Sequence, residues 1–169
     1  MLFRSVRVQL DAIRAAGEPT DATALAAWIP PVPAAENGAI KLLERIDGFR
    51  AIDHTQVPHR ARSWNATNLS WAGPERARLL SWRSDIHTAL QATRFRYPIG
   101  VTNGVANLTI NHLAAFKNAS TTLSFWAAHS AVLKLPDESA AALVDGIRFA
   151  RTLDDEPILI SWLVRAACL

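Results

Sequence analysis

Five histidines, a scatter of carboxylates and a single thiol bound the chemistry this chain could do. His54 and His59 stand beside Asp53 in DHTQVPH, a run that could in principle chelate. It lacks the cysteine set or the spaced helical His pair of a zinc site, so a solvated loop is the expected role. His112 and His129 fall on one face of one helix, but at 1.5 Å per residue they stand about 25 Å apart. That is too far to share an ion or a proton, and they read as interface or groove positions. Cys168 is the one cysteine, which excludes an intrachain disulfide and any Cys-based zinc centre. Neither Ser81 nor Ser161 sits in a G-x-S-x-G turn, and no glycine run cradles a phosphate. No catalytic residue, metal or cofactor is expected.

Three other constellations are candidate binding positions, and a fourth is expected to be structural. Arg76, Arg83, His87 and Arg94 recur at spacings of 7, 4 and 7, which places them in one narrow helical stripe. Such a stripe is either a solvated face opposite Leu79, Ile86 and Leu90 or a holder for an anionic partner. In WIPPVPAAENGA, Glu36 and Asn37 follow a proline-rich corner. Glu36 is expected in the first turn of a helix, and Asn37 is expected to bond the backbone of the preceding turn. Arg96-Tyr97-Pro98 forms a turn that could dock a partner or lock a loop. Ser161 and Arg165 are the polar exceptions in an apolar helix, and the arginine requires an ion-pair partner such as Glu156, Asp145 or a helix C-terminus.

The elements that must position these groups are helical throughout. Val6, Leu10 and Ile13 recur at helical spacing over 3–16, with Gly17 as the stop. Thr20 or Asp21 caps a short helix carrying Leu25 and Trp28, the latter expected as a core anchor. Prolines 30, 31 and 33 end it, and a third helix is predicted over 34–49 with Ile40, Leu43 and Ile46 along its faces. Residues 53–72 have no sustained period and read as a surface excursion. A helix over 75–94 buries Leu79, Trp82, Ile86 and Leu90, and 96–104 is a loop. A hairpin follows, with helices over 110–134 and 138–153, the second capped by Asp137. Asp154-Asp155-Glu156-Pro157 is expected to open a last helix, with its acids in the first turn. The fold expected is all-α, one domain of six to seven helices over 1–169.

Composition narrows the class of partner. The net charge of +3 is split as 13 Lys/Arg against 9 Asp/Glu in 1–98 and 5 against 6 in 99–169. That is far from the dense basic stripe of a nucleic-acid binder, and no nucleic acid is expected. No segment approaches the ~20 apolar residues that span a bilayer. The four N-x-S/T sequons, at Asn65, Asn68, Asn107 and Asn118, follow from polar composition. The chain ends in LISWLVRAACL without a helix stop, which suggests a fragment.

The run RYPIGVTNG, the helix carrying Leu113 and Phe116, and LPDESAAALVDGIRFARTLDDEPILISWLVRAACL together resemble an uncharacterised bacterial family frequent in planctomycetes and verrucomicrobia. Arg96, Tyr97, Pro98, Arg151, Glu156, Pro157, Ser161 and Arg165 carry the match, together with LDAIRAAGEPT, Trp28, Pro33 and Glu36 to Ala39. At position 38 the family pattern implies a small residue such as alanine. The resemblance implies an all-helical protein, a membrane anchor and further helices, and no chemistry. The 107–153 hairpin is similar to one tetratricopeptide-type unit. The expected function is a non-catalytic helical interaction or structural module, meeting a protein partner or another part of the same chain, and a membrane only through an anchor. The alternatives are a small-molecule binder or enzyme with Glu36, Arg96, Tyr97 and His112 around a cleft between the N-terminal helices and the 107–153 hairpin, and anionic-surface binding through the Arg76/Arg83/Arg94 face.

Overall fold

The computed structural model describes residues 2–47, 72–100 and 110–169, which hold seven α-helices and no β-strand. The all-α expectation is met. Asp53, His54, His59, Asn65, Asn68 and Asn107 lie outside the described residues. By packing, the chain divides into two compact units, one of residues 1–31 with 98–110 and the other of 32–97 with 111–169.

The first unit holds α1 (Leu2–Ala15) and α2 (Ala22–Trp28). Helix α1 stops at Gly17, whose φ of 78° is the left-handed conformation that glycine adopts without steric penalty. The Gly17 N–H donates to Arg14 O and the Glu18 N–H to Ile13 O, which satisfies two terminal carbonyls in a Schellman motif. Asp21 caps α2, its Oδ1 accepting from the Ala24 N–H at 2.8 Å. Trp28 is 59% exposed, so it is not the core anchor its proline context suggested. Val6 and Ile13 of the α1 stripe are exposed too.

The second unit is built around α5 (His112–Val132), with α3 (Gly38–Asp47), α4 (Ala72–Ala89), α6 (Pro136–Arg151) and α7 (Leu159–Cys168) each packed against it. Helix α5 is apolar or small on nearly every side, as a central helix must be. Its threonines satisfy themselves locally, Thr121 and Thr122 donating to Lys117 O and Asn118 O one turn back. Leu79, Trp126, Ala127 and Ala142 form a core cluster with Trp82 against it, so the predicted α4 stripe of Leu79, Ile86 and Leu90 is buried.

Several boundaries differ from expectation, among them that of α4, which ends at Ala89 rather than at 94. Helix α3 begins at Gly38, because residues 34–36 form a turn, and it buries Ala39, Leu42 and Ile46, leaving Ile40 exposed. Helix α6 starts two residues earlier than predicted: Leu135 holds the cap position, Pro136 occupies the first turn, and Asp137 and Glu138 follow inside the helix. Asp154 and Asp155 lie in a turn, and α7 starts only after Ile158. Glu156 is thereby released from a helical role.

Candidate functional site: a buried histidine–carboxylate hub

Asn37 positions the first wall. Its Oδ1 accepts from the Ala39 N–H at 3.1 Å, which caps α3, and from the Arg96 N–H at 2.8 Å. Its Nδ2 donates to Arg96 O at 2.7 Å. With the Gly38 N–H donating to Arg94 O, the strand-like segment 94–96 is clamped over the start of α3. The partner is therefore backbone 59 residues away, not the preceding Pro-rich turn. Gly38 is required there, since a Cβ would lie 2.5 Å from Phe95 Cε1 and 2.6 Å from Ala92 Cβ.

That clamp delivers Tyr97 to the interior, where its ring stacks on His112 with centroids 5.0 Å apart and planes within 4°. Phe116 meets both rings edge-on and stacks on Phe149 at 4.2 Å. Thr152 gives its one proton to Phe149 O at 2.7 Å, so the Tyr97 hydroxyl donates to Thr152 Oγ1 at 2.9 Å. Burial pushes the Tyr97 phenol well above its ordinary value, which keeps it a donor.

His112, the first residue of α5, places Nε2 2.9 Å from Glu156 Oε1. Ser161, in the first turn of α7, donates to the other oxygen, Glu156 Oε2. All three side chains are buried. The Arg96 guanidinium reaches Asp155 O at 3.4 Å. Burial lowers its pKa, and the nearby Glu156 and Asp155 partly oppose the shift. Chemically this is a serine–carboxylate–histidine sequence with the carboxylate in the middle. A nucleophile relay needs the imidazole in the middle to take the serine proton. Here the hydroxyl and the imidazole both turn to the acid. The arrangement ties α5, α7 and the α6–α7 turn together.

The basic stripe is split: the Arg76 and Arg83 side chains are mostly covered, while His87 and Arg94 stay exposed as on a solvated face. Arg76 lies 4.5 Å over the Trp126 ring, donates to Ser130 Oγ at 3.0 Å and pairs with Glu138. Arg83 stands 5.6 Å over the same ring and 3.9 Å from Asp145 Oδ2, beyond direct hydrogen-bond range. His87 Nδ1 is 2.9 Å from Asp145 Oδ1. Asp145, buried on α6, is the carboxylate that Arg83 and His87 approach, and sequence spacing gave no sign of it. Arg94 falls past the end of α4 and meets Glu36 at 3.7 Å, both largely exposed, a contact worth ~0–1 kcal/mol. Arg165 pairs with Asp154, a partner the sequence reading did not name.

Of the nine candidate positions, the structure brings Arg96, Tyr97 and His112 together, with Asn37 behind them. Glu36 pairs with Arg94 rather than with them, and Arg76, Arg83 and His87 belong to a second network. An open pocket of about 360 Å³ lies between the segment after α4 and the end of α6, lined by Leu90, Phe95, Arg148, Arg151, Asp154 and Asp155 among others. Among the described residues no group of three or more His, Cys, Asp or Glu could hold a metal ion. No helix in them is long and apolar enough to cross a membrane.

Helix α7 turns its polar groups inward. Ser161 is fully buried, with Val164, Arg165 and Cys168 half-buried beside it. Leu159, Ile160, Trp162, Leu163, Ala166, Ala167 and Leu169 are all exposed. At 100° per residue they fill about half the circumference of the helix with no charged or polar side chain between them. Compared with known family models, curated proteins and solved structures, the chain finds no match.

Proposed function

We infer that this chain is a non-catalytic helical interaction or structural module whose working surface is the outward face of α7. One observation carries the reading: polar residues of α7 are consumed inside, while large apolar ones stand 46–75% exposed. Monomeric proteins rarely present contiguous apolar patches beyond about 300–600 Å². The His112–Glu156–Ser161 hub supports it too, because it anchors the helix from behind and leaves the outer face free. The α5–α6 hairpin supports a tetratricopeptide-type form, and the family resemblance supports a place at the bacterial envelope through an anchor. The indrawn Arg76 and Arg83 weigh against a basic-face role.

Binding of a fluorescent hydrophobic dye tests the reading. Trp162→Asp, on the exposed face, is expected to keep the helical circular dichroism and to lower dye binding at least twofold. Dye binding that ignores the substitution overturns the interaction surface on α7.

A further inference from the structure

Resting on that reading, we propose that the occupant of the α7 face is a second copy of this chain, with the two α7 helices packed antiparallel about a two-fold axis. The face has a gradient of size along it. Its first turns carry Leu159, Ile160, Trp162 and Leu163, and its later turns carry Ala166 and Ala167 before Leu169. A parallel pair would set bulk against bulk and leave alanine against alanine. The antiparallel pair sets Trp162 of each copy over Ala166 of the other and Leu159 against Leu169, filling each gap with the partner's excess. Self-complementarity of one patch is what a two-fold interface requires.

Area and charge agree with this. Leu159, Ile160, Trp162, Leu163 and Leu169 expose on the order of 500–600 Å² per copy, so two copies would bury at most about 1,100 Å², just at the ~1,000 Å² floor for a biological interface. Leu143, Val144 and Ile147 are also exposed, on α6, which packs against α7. No charge lies on the arc to repel its own image across the axis. The one cation of α7, Arg165, is held by Asp154 on the inward side. A helix lying on a membrane surface would instead carry lysines and arginines along its polar face. Here that face is Ser161, Val164 and Cys168 around a single paired arginine.

The chain at tens of micromolar, measured by light scattering after size exclusion, is expected to run as a dimer of about 37 kDa, twice 18.5 kDa. A monomer overturns the proposal. Ala166→Trp is the discriminating variant, because it adds apolar area but places bulk against Trp162 of the other copy. It is expected to weaken the dimer on the order of tenfold or more, and a strengthened association would mean unspecific stickiness and overturn the register. Leu163, close to the axis, gives a check that does not depend on disrupting the interface. Leu163→Cys with Cys168→Ser is expected to oxidise to a disulfide-linked dimer, and failure to cross-link overturns the antiparallel arrangement. A monomeric chain whose dye binding falls on Trp162→Asp sinks the dimer and leaves the interaction surface standing. If that chain also binds anionic phosphatidylglycerol vesicles through Trp162, the occupant is a membrane. A monomer whose dye binding is indifferent to Trp162 sinks both.

Discussion

Asn37 and Arg96, 59 residues apart, exchange a pair of hydrogen bonds in which one side-chain amide saturates both main-chain groups of Arg96. The same oxygen caps α3 through the Ala39 N–H. Asn37 thus ties a helix start to the segment that carries Tyr97 inward. Asn37→Ala is expected to cost about 2–4 kcal/mol in urea denaturation, since the N–H and C=O of Arg96 lose their partners. Asn37→Asp keeps the two acceptor bonds but turns an oxygen toward Arg96 O, so it is expected to recover less than half of that loss. An alanine variant within 0.5 kcal/mol of the wild type would show that water replaces the clamp.

Gly38 reverses the usual expectation for glycine in a helix. Alanine at an unhindered helical site gains about 1 kcal/mol over glycine. Here the new methyl group would stand within 2.6 Å of Phe95 and Ala92, so Gly38→Ala is expected to destabilise by about 1–3 kcal/mol. Adding Phe95→Ala should make the pair of substitutions less damaging than the sum of the singles. Strict additivity would mean that the 94–96 segment does not press on the helix.

The fold was legible wherever one helix decided its own pattern. The α4 stripe, the α5–α6 hairpin, the stop at Gly17 and the cap at Asp21 follow from periodicity and capping, which are local. What was not legible depends on partners distant in sequence. Asp145 draws Arg83 inward from an apparently solvated face and meets the still-exposed His87 at its rim, and nothing at spacing seven or four announces it. Glu156 reads as helix-start punctuation until His112, 44 residues earlier, is placed beside it. Trp28 fails the other way: a large apolar side chain next to prolines suggests a core, yet a helix of seven residues with no buried position offers none.

Glu156 is the junction on which the seating of α7 depends. Glu156→Ala leaves the buried His112 and Ser161 groups without this hydrogen-bond partner, at a cost of about 2–4 kcal/mol. Glu156→Gln can still accept from His112 and donate to Ser161, so a cost of about 1 kcal/mol is expected. Hydrogen exchange adds a local readout: amides 159–168 should lose protection in the alanine variant more than those of α5. Uniform loss across both helices would show that Glu156 holds the whole unit rather than α7.

His129 gives the unit an acid sensitivity whose sign follows from its surroundings. It is buried, stacked on Phe125 at 5.7 Å, and its Nδ1 has no hydrogen-bond partner. Burial, and to a lesser degree the neighbouring Arg76, hold its pKa below the ordinary 6.5. In the unfolded chain the imidazole returns to about 6.5. Above that value both states are neutral and the residue contributes no pH dependence. Below it the unfolded chain binds a proton that the folded one refuses, so stability falls with acidity until the lowered folded value is passed. His129→Leu removes this one proton and leaves every other titration in place. The loss of stability between pH 7.5 and 5, followed by urea midpoints, should be smaller in the leucine variant than in the wild type. Equal losses would mean that His129 takes up its proton without disturbing the packing between α4 and α5.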